Sequence, residues 1–384
     1  MKKILFVASE CVPFVSSGGL GDVIGSLPAA LKKQYKNDAD IRVVLPLYGS
    51  MDEAYRAKAV KIGEIYVKLS WRNQYCGIFK LEKNGVIYYF LDNEYYFNRP
   101  TLYGHYDDGE RFAFFSKAVL EIMPTIDFYP DILHAHDWQT SLSIIYLKYK
   151  YGLIEHYCDI KTVYTIHNIA YQGVYGFAII NDVFDLPKKD GAILDYNGDI
   201  NLMKGAIVCA DKVSTVSPTY AKEILSPKFS HGLHYVLEQN KSKLVGILNG
   251  IDREYYNPSK DDELFCNYSS RAIEKKYQNK VSLQKMLNLP EKPNTPILAV
   301  ISRLVDHKGL DLLTLAADDI LENDVQLIIL GKGEYYYENF FFHLAERYPN
   351  KVSTLLTYNR DLSKKIYSGS DMFIMPSRSE PCGL

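Results

Sequence analysis

The first 35 residues, "MKKILFVASECVPFVSSGGLGDVIGSLPAALKKQY" (1–35), decide the fold class. "KILFVAS" (3–9) is a short, continuous apolar run, as expected of a parallel strand buried on both faces. "DVIGSLPAALKKQY" (22–35) spaces its apolar residues as a helix does. Between them lies "SSGGLG" (16–21), with Gly18, Gly19 and Gly21 within four positions. Strand, glycine loop and helix in that order are the first half of a βαβ unit. The loop reads GGxG, which differs from the GxGxxG of dinucleotide folds. A tight strand-to-helix turn accounts for it, and so does a loop aiming backbone N–H groups and a helix N-terminus at a phosphate. Ser16 and Ser17, which precede the glycines, supply no cation.

Working outward, "DIRVVLPLY" (40–48) is a second buried strand. Between residues 60 and 97, "VKIGEIYVKLS", "YCGIFKLEKNG" and "VIYYFLDN" alternate and break at turns, which fits antiparallel strands or an insertion. Residues 110–123 are helical in pattern. "DILHAHD" (131–137), "KTVYTIHN" (161–168) and "DKVSTVS" (211–217) are three more strands, each ending in polar residues. Ligands of open α/β sheets bind at such carboxyl ends. "PNTP" (293–296) reads as a boundary, after which strand and helix alternate again from "ILAVISRL" (297–304) to "DMFIMPS" (371–377). The fold class is therefore α/β, with two Rossmann-like, doubly wound units facing a cleft. The second is expected to be incomplete, because no covering helix follows its last strand, and an exposed apolar strand face should result.

Composition narrows the function. Hydrophobic residues make up 47% of 384, enough for a large core and incompatible with global disorder. Lys and Arg (44) nearly balance Asp and Glu (46), which argues against a nucleic-acid binder. The six cysteines form no CxxC pair, so zinc and thioredoxin-like readings fail. Glu10 cuts the N-terminal apolar run too short for a signal peptide, and no stretch approaches a membrane span. Reduced thiols in a cytoplasm are the expectation. The 32 Tyr and 17 Phe suit buried aromatics or a surface on which pyranose rings stack.

Several polar clusters fall at strand ends. In "HAHDW" (134–138) the strand period puts His134 and His136 on one face. Structural polar residues and contacts to sugar hydroxyls both fit, whereas no ligand cluster accompanies them for a metal. "TIHNIAYQG" (165–173) adds His167, Asn168, Tyr171 and Gln172, whose amide and imidazole groups suit hydroxyls. "SRLVDHKG" (302–309) puts Arg303 and Lys308 after a strand, as surface charges or as cations for a diphosphate. "GKGE" (331–334) is a second glycine loop. "SEPCGL" (379–384) places Glu380 where it could meet a sugar hydroxyl or merely solvent.

Taken together, "SGGLGDVIGSLP" (17–28), "HAHDWQT" (134–140), "TIHNIAYQGVY" (165–175), "KLVGILNGID" (243–252), "SRLVDHKGLDLL" (302–313) and "SGSDMFIMPSRSEPCGL" (368–384) carry a resemblance. From end to end the chain resembles the bacterial glycogen (starch) synthases, retaining glycosyltransferases of the GT-B fold. The resemblance implies transfer of glucose from ADP-glucose to the non-reducing end of an α-1,4-glucan, with no cofactor beyond the substrate and no metal. It implies that Arg303 and Lys308 hold the diphosphate, that Glu380 contacts the donor sugar and that His136 lies beside the donor glucose. Asp107, before "ERF", falls in the sugar site. Asn168 and Asn249 fit hydroxyl or phosphate contacts, Tyr358 stacks on adenine, and Asp22 lies near the donor cleft. Ser16, Gly18 and Gly19 form the donor-phosphate loop, and Gly331, Cys382 and Gly383 also fall in the donor site. No enzymic nucleophile is implied; the departing phosphate assists the incoming hydroxyl.

Two departures accompany the resemblance. Ser16 stands where the family carries Lys, and the family's chains continue past "EPCGL". The domains implied are 1–250, on the acceptor side, and 251–384, binding the nucleotide sugar. A GT-B enzyme using UDP-glucose and an inactive glucan-binding homologue are the alternatives. A membrane or nucleic-acid partner is not expected, and oligomeric state is left open.

Overall fold

The computed structural model describes residues 1–357 and 359–383. The chain divides into two compact units, Met1–Gly250 together with the residues from Pro381 onward, and Ile251–Glu380.

The first unit is built on β1 (Lys2–Val7), β2 (Ala39–Pro46), β3 (Val60–Leu69), β4 (Arg72–Lys83), β5 (Val86–Asp92), β6 (Ile132–His136) and β7 (Lys161–Ile166). A small separate sheet follows, made of β8 (Val174–Gly176), β9 (Asp195–Tyr196) and β10 (Asp199–Asn201); β11 (Lys212–Thr215) and β12 (Leu244–Gly246) then return to the main sheet. The main sheet has the order β12-β11-β7-β6-β1-β2-β5-β4-β3. It is parallel from β12 to β5, and β4 and β3 extend it in antiparallel fashion. Within the segment 60–97, β3 and β4 are thus an antiparallel extension of the same sheet, while β5 pairs with β2 in parallel.

Burial explains the continuous apolar strands. Leu5 and Val7 of β1 enter one apolar layer with Phe112 and Phe115, while Phe6 and Ala8 enter the other with Ile24 and Leu45. Both faces are covered, so no polar alternation survives. The helix after the glycine loop, α1 (Gly19–Tyr35), begins three residues before the periodic apolar pattern. Its first turn is closed by Gly21 N–H donating to Gly18 O at 3.0 Å. Only glycine fits at position 21, because a Cβ there would run into the Ser16 hydroxyl.

The second unit holds a parallel sheet of β13 (Ile297–Ile301), β14 (Gln326–Leu330), β15 (Val352–Leu355) and β16 (Met372–Phe373), in the order β15-β14-β13-β16. Leu327 and Ile329 of β14 face one apolar cluster, and Ile328 and Leu330 the other. "PNTP" does not divide the units. The preceding helix, α2 (Lys276–Met286), belongs to the second unit: Lys280 pairs with Asp371 at 2.8 Å and Gln284 Nε2 donates to Gln326 Oε1 at 2.7 Å. Met372 and Phe373 on the edge strand β16 are 49% and 41% exposed.

Strand order locates the sites. In the first sheet the chain runs from β1 outward to β2 and β5, then crosses to β6 on β1's other side. In the second it runs from β13 to β14 and β15, then crosses to β16. Each crossing opens a crevice at the carboxyl ends of two strands, between β1 and β6 and between β13 and β16. Among the described residues, no helix is long and apolar enough to cross a membrane.

Candidate active site

At the β1 end of the first crevice, the glycine loop already holds an anion, and it comes from the chain itself. Buried Glu10 accepts from Ser17 N–H at 2.5 Å, from Gly18 N–H at 3.2 Å and from the Ser17 hydroxyl at 2.8 Å. The Tyr103 hydroxyl donates to the same carboxylate at 2.6 Å. The loop therefore differs from the open phosphate cradle expected of Ser16, Gly18 and Gly19. The N–H groups of Ser17 and Gly18 are turned inward, because an acid at the end of an apolar strand reaches across the turn. Ser16 donates its hydroxyl to Gly18 O at 3.2 Å and so folds onto the loop. Exposed Gly19 opens α1, where the unbonded helix N–H groups begin. Asp22 lies half-buried in that first turn, where an acid complements the dipole.

At the β6 end, the period-2 expectation holds in space: the His134 and His136 ring centroids are 4.2 Å apart. His134 Nε2 bonds the Thr165 hydroxyl at 2.6 Å. His136 Nδ1 lies 3.0 Å from His167 Nε2, and the ring stacks on Phe6 at 5.7 Å and 16°. His136 Nε2 is buried with no hydrogen-bond partner among the described residues. Burial pushes His134 and His167 down to about 3, and burial together with the two neighbouring imidazoles pushes His136 well below its ordinary value. All three rings are neutral at pH 7.

Asp137, next in sequence, takes the uncommon backbone angle φ +56°. Its carboxyl group accepts from His167 N–H at 2.7 Å and Asn168 N–H at 3.4 Å, which ties the end of β6 to the end of β7. Burial nonetheless pushes it up to about 7, against the lowering effect of those two N–H bonds. Asn168 spends its Oδ1 on Ala170 N–H at 3.0 Å. Gln172 is structural: it is buried, donates to Ile169 O and His231 O, and accepts from Asn201 Nδ2 at 2.6 Å. Tyr171 is exposed.

Asp107 begins the helix Asp108–Glu121 and pairs with Arg99 at 2.8 Å. The loop carrying it is held by the fully buried Arg111, which bonds Tyr96 O at 2.7 Å and Asp108 at 2.5 Å. Neither Arg99 nor Arg111 stood out in the sequence. Asn249 lies half-buried beyond β12.

In the second unit, Arg303 and Lys308 follow β13 and Glu380 follows β16. Lys308 Nζ meets Glu380 at 2.5 Å, and the Ser377 hydroxyl donates to the same carboxylate at 3.0 Å. Arg303 is exposed and has no ion-pair partner among the described residues. His307 lies in this positive field: burial first, then Arg303 and Lys308, lower its pKa, and no sequence reading had marked it. Arg378 N–H donates to His307 O at 3.0 Å, which stitches the two loops together. Gly309, at φ +66°, lies so close to Pro376 O that a Cβ would collide.

Gly331, read from the sequence as part of the donor site, is held in close packing between strand ends. Its N–H donates to Leu355 O at 3.1 Å, and a Cβ would strike Ser302 O, so close strand packing explains the glycine. Cys382 packs against the first unit's core, and Gly383 has φ +79°. Tyr358 lies outside the described residues. Among the described residues, no cluster of three or more His, Cys, Asp or Glu is arranged to hold a metal ion.

Comparison with known proteins agrees with this layout. The pattern of the starch synthase catalytic domain matches residues 3–239, and that of glycosyl transferases group 1 matches residues 283–384. The chain is similar to the glycogen synthase of Desulforamulus reducens, 48% identical over 386 residues, covering 100% of this chain and 79% of that protein. It is similar to the glycogen synthase of Anoxybacillus flavithermus, 47% identical over 384 residues, covering 100% and 79%. Among solved structures it is similar to the catalytic domain of Starch Synthase IV from Arabidopsis thaliana bound to ADP and acarbose, with a TM-score of 0.91 and 30% identity, covering 100% of this chain and 80% of that one.

Proposed function

The chain belongs to the glycogen and starch synthase family, of GT-B fold, and on that premise we propose that it transfers glucose from ADP-glucose to the non-reducing end of an α-1,4-glucan with retention. The bond from glucose C1 to the diphosphate oxygen breaks. A new bond forms from C1 to the acceptor O4 on the same face, and the acceptor proton passes to the departing phosphate, giving ADP. Nothing here needs a protein nucleophile. The protein's work is positioning and stabilising charge.

The observation that carries this reading is the Lys308–Glu380 pair at 2.5 Å, beside exposed Arg303, at the carboxyl ends of β13 and β16. Two cations there meet the negative charge that grows on the diphosphate. Glu380 holds the ammonium in place and keeps acceptor capacity for a sugar hydroxyl. The glycine loop brings no cation to this neutralisation, since Ser16 is uncharged and Glu10 adds an anion. Neutral His136 suits a place beside a sugar that becomes oxocarbenium-like, because an imidazolium there would oppose the developing positive charge. The ADP bound by the Arabidopsis relative supports an adenine nucleotide as a ligand.

The missing loop cation motivates one other reading, transfer from UDP-glucose. Offering ADP-glucose and UDP-glucose separately with glycogen separates the two. ADP-glucose is expected to give at least a tenfold higher kcat/KM, and a preference for UDP-glucose would overturn the donor assignment.

A further inference from the structure

His136 and His167 share a single hydrogen bond between two neutral rings, at 3.0 Å. One proton lies in that bond, so one ring donates and the other accepts. The choice propagates. If His167 Nε2 donates, the His136 proton lies on Nε2, which becomes a donor. If His136 Nδ1 donates, its Nε2 is a bare acceptor. The His136 Nε2 atom is buried and unpartnered among the described residues, whereas its other nitrogen is engaged. A buried polar atom left without a partner is costly, and a ligand group would complete it.

The surroundings fix the ring. Phe6 stacks on it at 5.7 Å, and His134 lies against it at 4.2 Å between centroids. His167 is itself anchored through its backbone, since its N–H donates to Asp137 at 2.7 Å. That bond crosses from β7 to the residue immediately after His136, so the second ring is held in register with the first.

We propose that His167 is a positioning residue, which by its hydrogen bond to His136 Nδ1 sets the tautomer of His136 and hence whether Nε2 offers the donor glucose a proton or a lone pair. The inference rests on the reading that His136 faces the donor sugar. It assigns His167 a task that its motif alone left open among sugar contact and structural residue. His167 acts through His136, and Asp137 acts through His167.

The test uses His167→Phe, which keeps a planar ring and removes the bond, and His167→Gln, whose amide returns a polar group near the position of Nε2. Nitrogen-15 NMR of histidine-labelled chain reports the tautomer of His136, identified by the signal lost in His136→Asn. The parent is expected to show one neutral tautomer and His167→Phe a mixture, with circular dichroism and ADP binding retained. In glucose transfer, kcat is expected to fall on the order of 10–100-fold in His167→Phe with little change in donor KM, by analogy with lost orienting partners of metal-bound histidines. His167→Gln should recover most of that loss. An unchanged His136 tautomer in His167→Phe would overturn the proposal, as would a His167→Gln variant as impaired as His167→Phe. A parent chain that transfers no glucose defeats the proposed function instead, and the NMR result still decides the tautomer claim.

Discussion

The carboxylate of Glu10 lies 2.5 Å from the backbone N–H of Ser17 and fills the turn that a bound phosphate was expected to fill. Four donors converge on it: two backbone N–H groups and the hydroxyls of Ser17 and Tyr103. Hydrogen bonds to a charged group contribute about 1.5–3 kcal/mol each. Glu10→Gln places an amide NH₂ against N–H donors that need an acceptor. The expected result is a loss of about 3 kcal/mol of stability and a faster-exchanging loop over residues 16–19. Hydrogen exchange of those amides checks it; protection equal to the parent's would contradict it.

Lys308 and Glu380 are both partly exposed, so their pair contributes at most about 1 kcal/mol to folding. Lys308→Ala should therefore leave the melting temperature nearly unchanged. It should lower kcat for transfer roughly 10²–10³-fold, as does loss of a transition-state donor elsewhere. A melting temperature that drops steeply while kcat holds would assign Lys308 to structure.

Arg111 is a different case. It is fully buried, pairs with Asp108 at 2.5 Å and carries the loop that leads to Asp107. Replacing one partner strands the other charge, at about 3–5 kcal/mol. Arg111→Met is expected to lower the unfolding free energy from denaturant titration accordingly, and a value within about 0.5 kcal/mol of the parent's would refute the role.

The histidine cluster makes stability depend on pH. Burial holds His134 and His167 at about 3 and His136 well below its ordinary value, whereas in the unfolded chain each titrates near 6.5. Between roughly pH 6.5 and 4 the unfolded state therefore binds three protons that the folded state refuses. Asp137, pushed up to about 7, works against this with one proton bound in the folded state. The balance favours the unfolded chain, so stability falls as pH drops through that window, by about 1.4 kcal/mol per pH unit for each net proton. Thermal melts from pH 7 to 4 should show it, and His134→Gln, which can still bond Thr165, should flatten the slope. A slope identical in that variant would remove His134 from the account.

Much of this was legible because buried parallel strands write themselves as apolar runs. "KILFVAS" and "KTVYTIHN" correspond to β1 and β7, and the run beginning "ILAVISRL" opens with β13. The pairing of His134 with His136 followed from the strand period alone. What stayed hidden depends on distant partners. Glu10 read as an interruption of an apolar run, because its donors come from a turn seven residues on and from Tyr103. Gly331 read as a loop for a ligand, because the clash that forbids a side chain comes from Ser302, on another strand's end. "PNTP" read as a boundary, because composition cannot show that α2 is tied to Asp371 and Gln326.

The most direct measurement is incorporation of radiolabelled glucose from ADP-glucose into glycogen by the chain as it stands, beside an Arg303→Ala, Lys308→Ala double variant. The expected result is α-1,4-linked product from the parent and a rate lower by at least about 10³-fold from the double variant, folded and still bound to glycogen. Glycogen binding without any transfer by the parent, or transfer undiminished in the double variant, would contradict it.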